Sequence, residues 1–276
     1  MANTKYQYVR HFEQEETILL NTYFVVRIDG KGFHRFSDTH NFDKPNDLGA
    51  LSLMNKVATE IVKSYGDCVL AIGESDEYSF VFKRKTTLFN RRKTKILTTI
   101  VSQFTSMYVF YWPQFMKTPL QYPPSFDGRI VIYPSLQNIR DYISWRQADT
   151  HINNLYNTCF WALVQRGNET TTSAEKILNG TLSSEKNEIL FSRFGINYNN
   201  EPEVFKKGSI VIRETKERIL ERMETKPATI SCPFSKEEIE SLSDGAYETV
   251  VLHCDVIRDK PFWEEHATLL DLFVCL

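Results

Sequence analysis

A chain of 276 residues is long enough for one large domain or two small ones and for a sizeable core. At 42% hydrophobic and 25% charged it has the composition of an ordinary globular protein, and no apolar run is long enough to span a bilayer. The net charge of −2 excludes a global basic field, so a nucleic-acid partner would have to be held by local patches. Five cysteines (Cys68, Cys159, Cys232, Cys254, Cys275) are scattered without a CxxC pair, which argues against a zinc cluster or disulfide framework. Reduced thiols in an intracellular protein, cytoplasmic or nuclear, are expected instead. The polar start, KYQYVRHFEQEE, is unlike a signal peptide.

Residues 22–29 read as a strand, mostly apolar and rich in β-branched and aromatic side chains. A long polar loop is expected over 30–47, ending in PND, which supplies helix-capping chemistry at Asn46 or Asp47. In LGALSLMNKVATEIVKSYG, Leu53, Val57 and Ile61 recur four apart beside Met54, Ala58 and Val62. That predicts one wide apolar helix face, with Gly66 as the stop. CVLAIG (68–73) and YSFVF (78–82) predict two strands joined by a tight GESD hairpin. TKILTTIVSQFTSMYVFYW carries Ile96, Ile100, Phe104 and Met107/Tyr108 at helical spacing and is expected to end at Pro113. After PLQYPP, a DG turn is expected to lead into the strand RIVIY. Beyond residue 140, DYISWRQADTHINNLYNTCFWALVQRG predicts a long helix with one polar face. TTSAEKILNG and SSEKNEILFSRFG predict shorter helices with Ser/Thr caps. GSIVI and TVVLHCDVI predict strands, separated by a polar surface excursion, TKPATISCPFSKEEIESLSDG.

Strand, helix, strand, strand, helix, strand is the split βαβ, ferredoxin-like order. Right-handed crossovers place strands one and three side by side and antiparallel. Asp29 ends the first and Asp76 begins the third, so the two carboxylates should face one another.

Two convergent carboxylates repel unless a cation lies between them, and hard oxygen donors favour Mg²⁺. Two such ions about 4 Å apart can clamp the oxygens of a phosphoryl transfer. The Gly30 carbonyl can add a ligand. The loop GKGFHRFS offers backbone N–H groups, Lys31, His34 and Arg35 to a triphosphate. Taken alone, Asp29 reads as a turn cap; its juxtaposition with Asp76 is what points to a metal. Glu77 follows Asp76, so in a regular strand the two face opposite ways. Glu77 then either twists into the site or plays a supporting role. Ser75 fits the turn itself. The loop is neither a Walker A motif nor a dinucleotide GxGxxG. KRKTTLFNRRKTK (83–95) holds seven basic residues in thirteen. It reads either as a solvated surface or as a phosphate-binding patch beside the metal site, with Phe89 free to stack. Asn153 and Asn157 lie four apart, with Asn154 and His151 nearby. A bare helix gains nothing from three asparagines, so they bond either a neighbouring loop or a substrate.

RIDGKGFHRF, DKPND, SDEYSFVFKRKT, QFTSMYVFYW, FDGRIVIYPS, SWRQADTHINNLYNTCFWAL, KNEILFSRFGINYNNE and LHCDVI stand in the order of the histidine-tRNA guanylyltransferase family, which the chain resembles over nearly its whole length. The resemblance implies an α+β fold: a ferredoxin-like, polymerase-type palm over 1–137 and a C-terminal helical and strand extension over 138–276. It implies ATP-dependent adenylylation of the tRNA 5′-phosphate, attack by the GTP 3′-hydroxyl, and pyrophosphate removal. Asp29, the Gly30 carbonyl and Asp76 would hold two Mg²⁺ ions, and Glu77 resembles a residue needed for activity. Lys31, Gly32, Phe33, His34, Arg35 and Phe36, with Lys44, Ser75 and Lys95, would bind a nucleotide whose purine lies near His34 and Asp47. Arg92, Arg129, His151, Asn153, Asn157 and Lys186, beside Lys44, resemble positions for a second nucleotide or the tRNA 5′ end. The family's tetrameric habit would let basic patches from several subunits sum on one tRNA. Rival readings are a templated 3′–5′ tRNA repair polymerase, a nucleotidyl cyclase, and a tRNA-binding protein with a dead palm. Intact Asp29, Asp76 and Glu77 argue against the last.

Overall fold

The structure is a computed structural model that describes residues 4–258 and 260–266. Its centre is a seven-stranded antiparallel sheet. Four of the strands belong to the palm: β1 (Tyr23–Gly30), β2 (Cys68–Glu74), β3 (Glu77–Phe82) and β4 (Phe126–Tyr133). The other three are β5 (Ser209–Thr215), β6 (Ile230–Ser231) and β7 (Tyr247–Leu252). The order across the sheet is β4-β1-β3-β2-β5-β7-β6. The first four strands follow the ferredoxin-like arrangement, and the C-terminal half continues the same sheet from the β2 edge.

Both faces of the sheet are covered. Phe24, Val26, Ile28, Tyr78, Phe80 and Phe82 point into one core cluster, and Tyr23, Val25 and Val81 into another. This is why the strands read as apolar runs and not as strict alternations. The first face packs on α2 (Leu48–Ser64) and α3 (Lys93–Phe115). The second packs on the first half of α4 (Leu136–Gln165). Thirty residues carry α4 about 45 Å. Its second half leaves the sheet and gathers α5 (Thr171–Leu178) and α6 (Ser183–Phe194) around a third cluster containing Leu155, Cys159 and Leu163.

Several elements differ from their sequence reading. The 30–47 loop contains a helix, α1 (Phe33–Thr39), whose one-turn apolar pair Phe33 and Phe36 is too short to show a period. Helix α3 runs through Pro113 to Phe115. The proline falls in the last turn, and Met116 N–H still donates to the Trp112 carbonyl at 2.9 Å. Asp127 and Gly128 lie inside β4, paired with Asp29 and Ile28, and form no turn. Gly128 instead admits α3: a Cβ there would stand 2.5 Å from Val101 Cγ2. Helix α6 is capped by Leu182, whose N–H donates to Glu185 at 2.6 Å, and not by serine. The 225–245 excursion supplies β6 and a short helix, α7 (Lys236–Glu240), which buries Ile239. Cys68, Cys159 and Cys232 carry free thiols, and Cys275 lies outside the described residues.

Candidate active site

The strand register sets the site. Asp127, Asp29, Glu77 and Glu74 pair across β4, β1, β3 and β2, forming one row of four carboxylates on the α4 face. Arginines neutralise the row. Arg27, two residues before Asp29 on the same face, reaches Glu77 at 2.5 Å and Asp29 at 3.3 Å. Arg146 descends from α4 to Glu77 at 2.7 Å, Glu74 at 3.4 Å and Asp149 at 3.0 Å. Both Glu77 oxygens are therefore taken by guanidiniums, and the residue is 8% exposed. Of the two arrangements open to Glu77, the structure has the supporting one, a carboxylate bound by Arg27 and Arg146 beside the Asp76 turn.

Asp76 sits in the β2–β3 turn, where Ser75 takes a positive φ of 49°. The Asp76 carbonyl accepts from Gly30 N–H at 3.1 Å, so the turn closes onto the end of β1. Gly30 is required there: a Cβ would stand 2.3 Å from the Phe33 ring and 2.7 Å from Asp76 Oδ2. Burial raises the Asp76 carboxyl above its ordinary pKa. The Asp29 charge adds to this, while its own backbone N–H, Ser75 and His34 offset part of it. A buried carboxyl raised by a neighbouring carboxylate, beside a close-approaching backbone, fits a hard divalent cation. Among the described residues no three His, Cys, Asp or Glu side chains form a cage.

Next to the turn lies a cavity of about 450 Å³, walled by α1, the 42–47 loop, the start of α2, the β2–β3 turn and α4. Its lining brings together His34, Lys44, Asp47, Ser75, Asp76, Asn153 and Asn157. Asp47 caps α2 by accepting from Ala50 N–H at 2.9 Å, and its second oxygen accepts from Asp43 N–H at 3.0 Å. Lys44 Nζ donates to Ser37 at 2.9 Å, pairs with Asp38 at 3.1 Å and lies 5.8 Å from the Trp161 ring centroid. Asn153 and Asn157 are exposed toward the cavity, whereas Asn154 is buried and accepts from Asn46 at 2.9 Å. The asparagine run thus divides: one member bonds the loop and two line the space.

Other candidates stand elsewhere. Lys31 is exposed and its N–H donates to the Ser125 carbonyl at 2.8 Å. Gly32, at φ 69°, starts α1, and Arg35 is exposed. Phe33 and Phe36 are core aromatics stacked at 4.8 Å, so only their backbone is left for a ligand. Arg129 is exposed on β4 opposite Arg27. His151 turns toward Tyr198, 5.5 Å away; burial, then Lys207 and Arg258, lower its pKa. Lys186 donates to the Thr181 carbonyl at 2.7 Å and hydroxyl at 2.8 Å. The basic run does not adjoin the cavity. Lys95 begins α3, about 20 Å of helix axis before the cavity residue Tyr108. Phe89 is covered by Lys95 at 5.2 Å, and Arg92 pairs with Glu15 at 2.7 Å. Carrying Lys95 and Arg92 past strand three moves them away from the Asp76 turn, because that strand runs away from it.

Arg27, Glu74, Arg146 and Trp161 have no role in the sequence reading, and Asn46 is there only a helix-capping candidate. Arg146 carries a signal: it lies three and four residues after Ile143 and Tyr142, on the buried stripe of α4.

A family model described as tRNAHis guanylyltransferase matches residues 6–134, and one described as Thg1 C terminal domain matches 137–258. A human protein described as probable tRNA(His) guanylyltransferase is 50% identical over 272 residues, covering 98% of this chain and 89% of that protein. The chain belongs to the tRNA(His) guanylyltransferase family. Members are nucleotidyltransferases, and this chain is one. The crystal structure of the Saccharomyces cerevisiae tRNA(His) guanylyltransferase matches with TM-score 0.73 and 57% identity, over 75% of this chain and 92% of that one. A bacterial Thg1-like protein shares the fold in complex with ATP (TM-score 0.68, 19% identity, 99% and 100% coverage). Its complex with GTP gives TM-score 0.62 and 18% identity, with 98% and 96% coverage.

Proposed function

We propose that this enzyme adds one guanosine to the 5′ end of histidine tRNA. The observation that carries the reading is the cavity beside Asp76 that gathers His34, Lys44, Asp47, Ser75, Asn153 and Asn157, in a chain half identical to a Neurospora crassa protein described as tRNA(His) guanylyltransferase. The tRNA 5′-phosphate attacks the α-phosphorus of ATP and pyrophosphate leaves. The GTP 3′-hydroxyl then attacks the activated tRNA phosphorus, the bond to AMP breaks, and AMP carries the electron pair away. Water finally releases pyrophosphate from the added guanosine triphosphate.

Asp29, the Gly30 carbonyl and Asp76 would hold two Mg²⁺ ions, which when bound neutralise phosphoryl oxygens and orient the attacking and leaving groups. The chain's own residues do the rest. The start of α1, Phe33 to Arg35, would offer backbone N–H groups to a triphosphate, with the Lys31 and Arg35 side chains as cations, and His34 and Asp47 would flank the purine. Lys44 from the 42–47 loop and Asn153 and Asn157 from α4 would face the second nucleotide or the RNA end, with Arg129, His151 and Lys186 as further contacts. Arg27 and Arg146 hold the carboxylate row in register through Glu77.

The protein would act as an intracellular homotetramer. Support comes from the distance between the Arg92–Lys95 patch and the cavity, since patches of several subunits can sum on one tRNA where a net charge of −2 cannot. With ATP labelled at the α-phosphate and GTP omitted, labelled AMP should accumulate on 5′-monophosphorylated histidine tRNA. Asp29→Ala and Asp76→Ala should accumulate none while staying folded. Retained transfer in either variant would overturn the assignment of the metal ligands.

A further inference from the structure

Tyr108 lies on the inner face of α3 and on the wall of the cavity. Its ring is packed by Phe33, Phe36, Trp112 and Phe126, with centroids 6.1, 6.3, 5.8 and 5.4 Å away, and the residue is 0% exposed. Among the described residues its hydroxyl is the one buried hydroxyl without a hydrogen-bond partner. A phenylalanine would fill the same space without that cost, because a buried unpaired hydroxyl loses its water and gains nothing. An orphaned group on a cavity wall points to a partner that the cavity's occupant brings.

The surroundings define that partner. Burial raises the Tyr108 pKa, and the charges of Asp76 and then Asp47 raise it further, so the phenol keeps its proton and can donate. In the proposed reading the phosphates are engaged by the metal ions at Asp76, which leaves another part of the nucleotide to meet Tyr108. Asp76 marks the metal end of the proposed nucleotide and Asp47 the purine end, and the sugar joins those two ends. We infer that the Tyr108 hydroxyl donates a hydrogen bond to a ribose hydroxyl of the nucleoside triphosphate in this cavity. Tyr108 is thereby a positioning and specificity residue that favours nucleotides carrying the ribose hydroxyl it bonds. The inference rests on the nucleotide-binding reading above.

The test is binding of GTP, 2′-deoxy-GTP and 3′-deoxy-GTP, with Mg²⁺, to the wild type and to Tyr108→Phe, beside the melting temperature of each ligand-free protein. The variant should melt at the same temperature or higher. It should bind GTP about five- to tenfold more weakly, the loss expected of one neutral hydrogen bond. Against one deoxy analogue, the one missing the accepting hydroxyl, it should match the wild type. Unchanged GTP affinity overturns the inference. So does equal weakening for all three nucleotides, or a lower melting temperature, which would place the hydroxyl's partner inside the fold. A wild-type protein that binds no GTP would instead overturn the nucleotide site itself.

Discussion

Arg146 on α4 and Glu77 on β3 meet at 2.7 Å and tie the long helix to the hairpin that carries Asp76. Arg27 grips the other Glu77 oxygen at 2.5 Å, so one carboxylate holds two guanidiniums beneath the helix. Glu77→Gln would leave one buried and one half-buried cation with less compensation. It should lower stability by about 3 kcal/mol, as breaking a buried pair does. Asp29→Asn, whose side chain is 34% exposed, should change stability far less. Urea unfolding measures both, and equal losses would deny Glu77 its structural role.

Asp76 should behave in the opposite way. Its carboxyl is raised chiefly by burial, so the folded state resists holding it ionised at neutral pH. Asp76→Asn should therefore raise the melting temperature of the protein without divalent cations, while abolishing nucleotide transfer. Adding Mg²⁺ should stabilise the wild type and leave the variant unmoved. A variant less stable than the wild type without Mg²⁺ would contradict the assignment.

Glu74 gives a pH signature. Burial raises its pKa from 4.5 to about 7, partly offset by Thr150 and Arg146. Below pH 4.5 both folded and unfolded chains keep this proton. Between 4.5 and about 7 the unfolded chain releases it and the folded chain does not, so stability falls as pH rises through that window. The fall is on the order of 3 kcal/mol. Glu74→Gln should flatten the profile between those limits, and an unchanged profile would mean that another group titrates there.

Asn154 links two parts of the molecule. It accepts from Asn46 at 2.9 Å and donates to the Tyr198 hydroxyl at 2.9 Å, anchoring the loop that bears Lys44 and Asp47. Asn154→Ala should cost about 1–2 kcal/mol, for two buried bonds lost and two partners left unpaired. It should also raise KM for nucleotide more than it lowers kcat. A fall in kcat alone would mean the loop is held by other contacts.

How much of this was legible in the sequence follows from the range of the interactions. Strands β1 to β4 and helices α2 and α4 announce themselves because apolar residues repeat within a few positions. The βαββαβ order then brings Asp29 beside the β2–β3 hairpin by topology alone. Helix α1 and strand β6 are too short for any period. The Asp127–Gly128 pair looks like a turn because sequence cannot show that α3 presses on Gly128. The partnership of Glu77 with Arg27 and Arg146 joins residues 50 and 69 positions apart, and nothing local encodes it. Tyr108 reads as one more apolar helix residue until its hydroxyl is seen to lack a partner. Lys95 and Arg92 follow strand three in sequence but leave the site in space, since that strand runs from the Asp76 turn to the far end of the sheet.

The measurement that tests the proposed activity most directly is incorporation of labelled GTP into 5′-monophosphorylated histidine tRNA with ATP and Mg²⁺. Phenylalanine tRNA and the Asp76→Ala protein serve as controls. The expected result is a single guanosine added to histidine tRNA alone, and none by the variant. No addition, equal addition to both tRNAs, or addition by Asp76→Ala would contradict it.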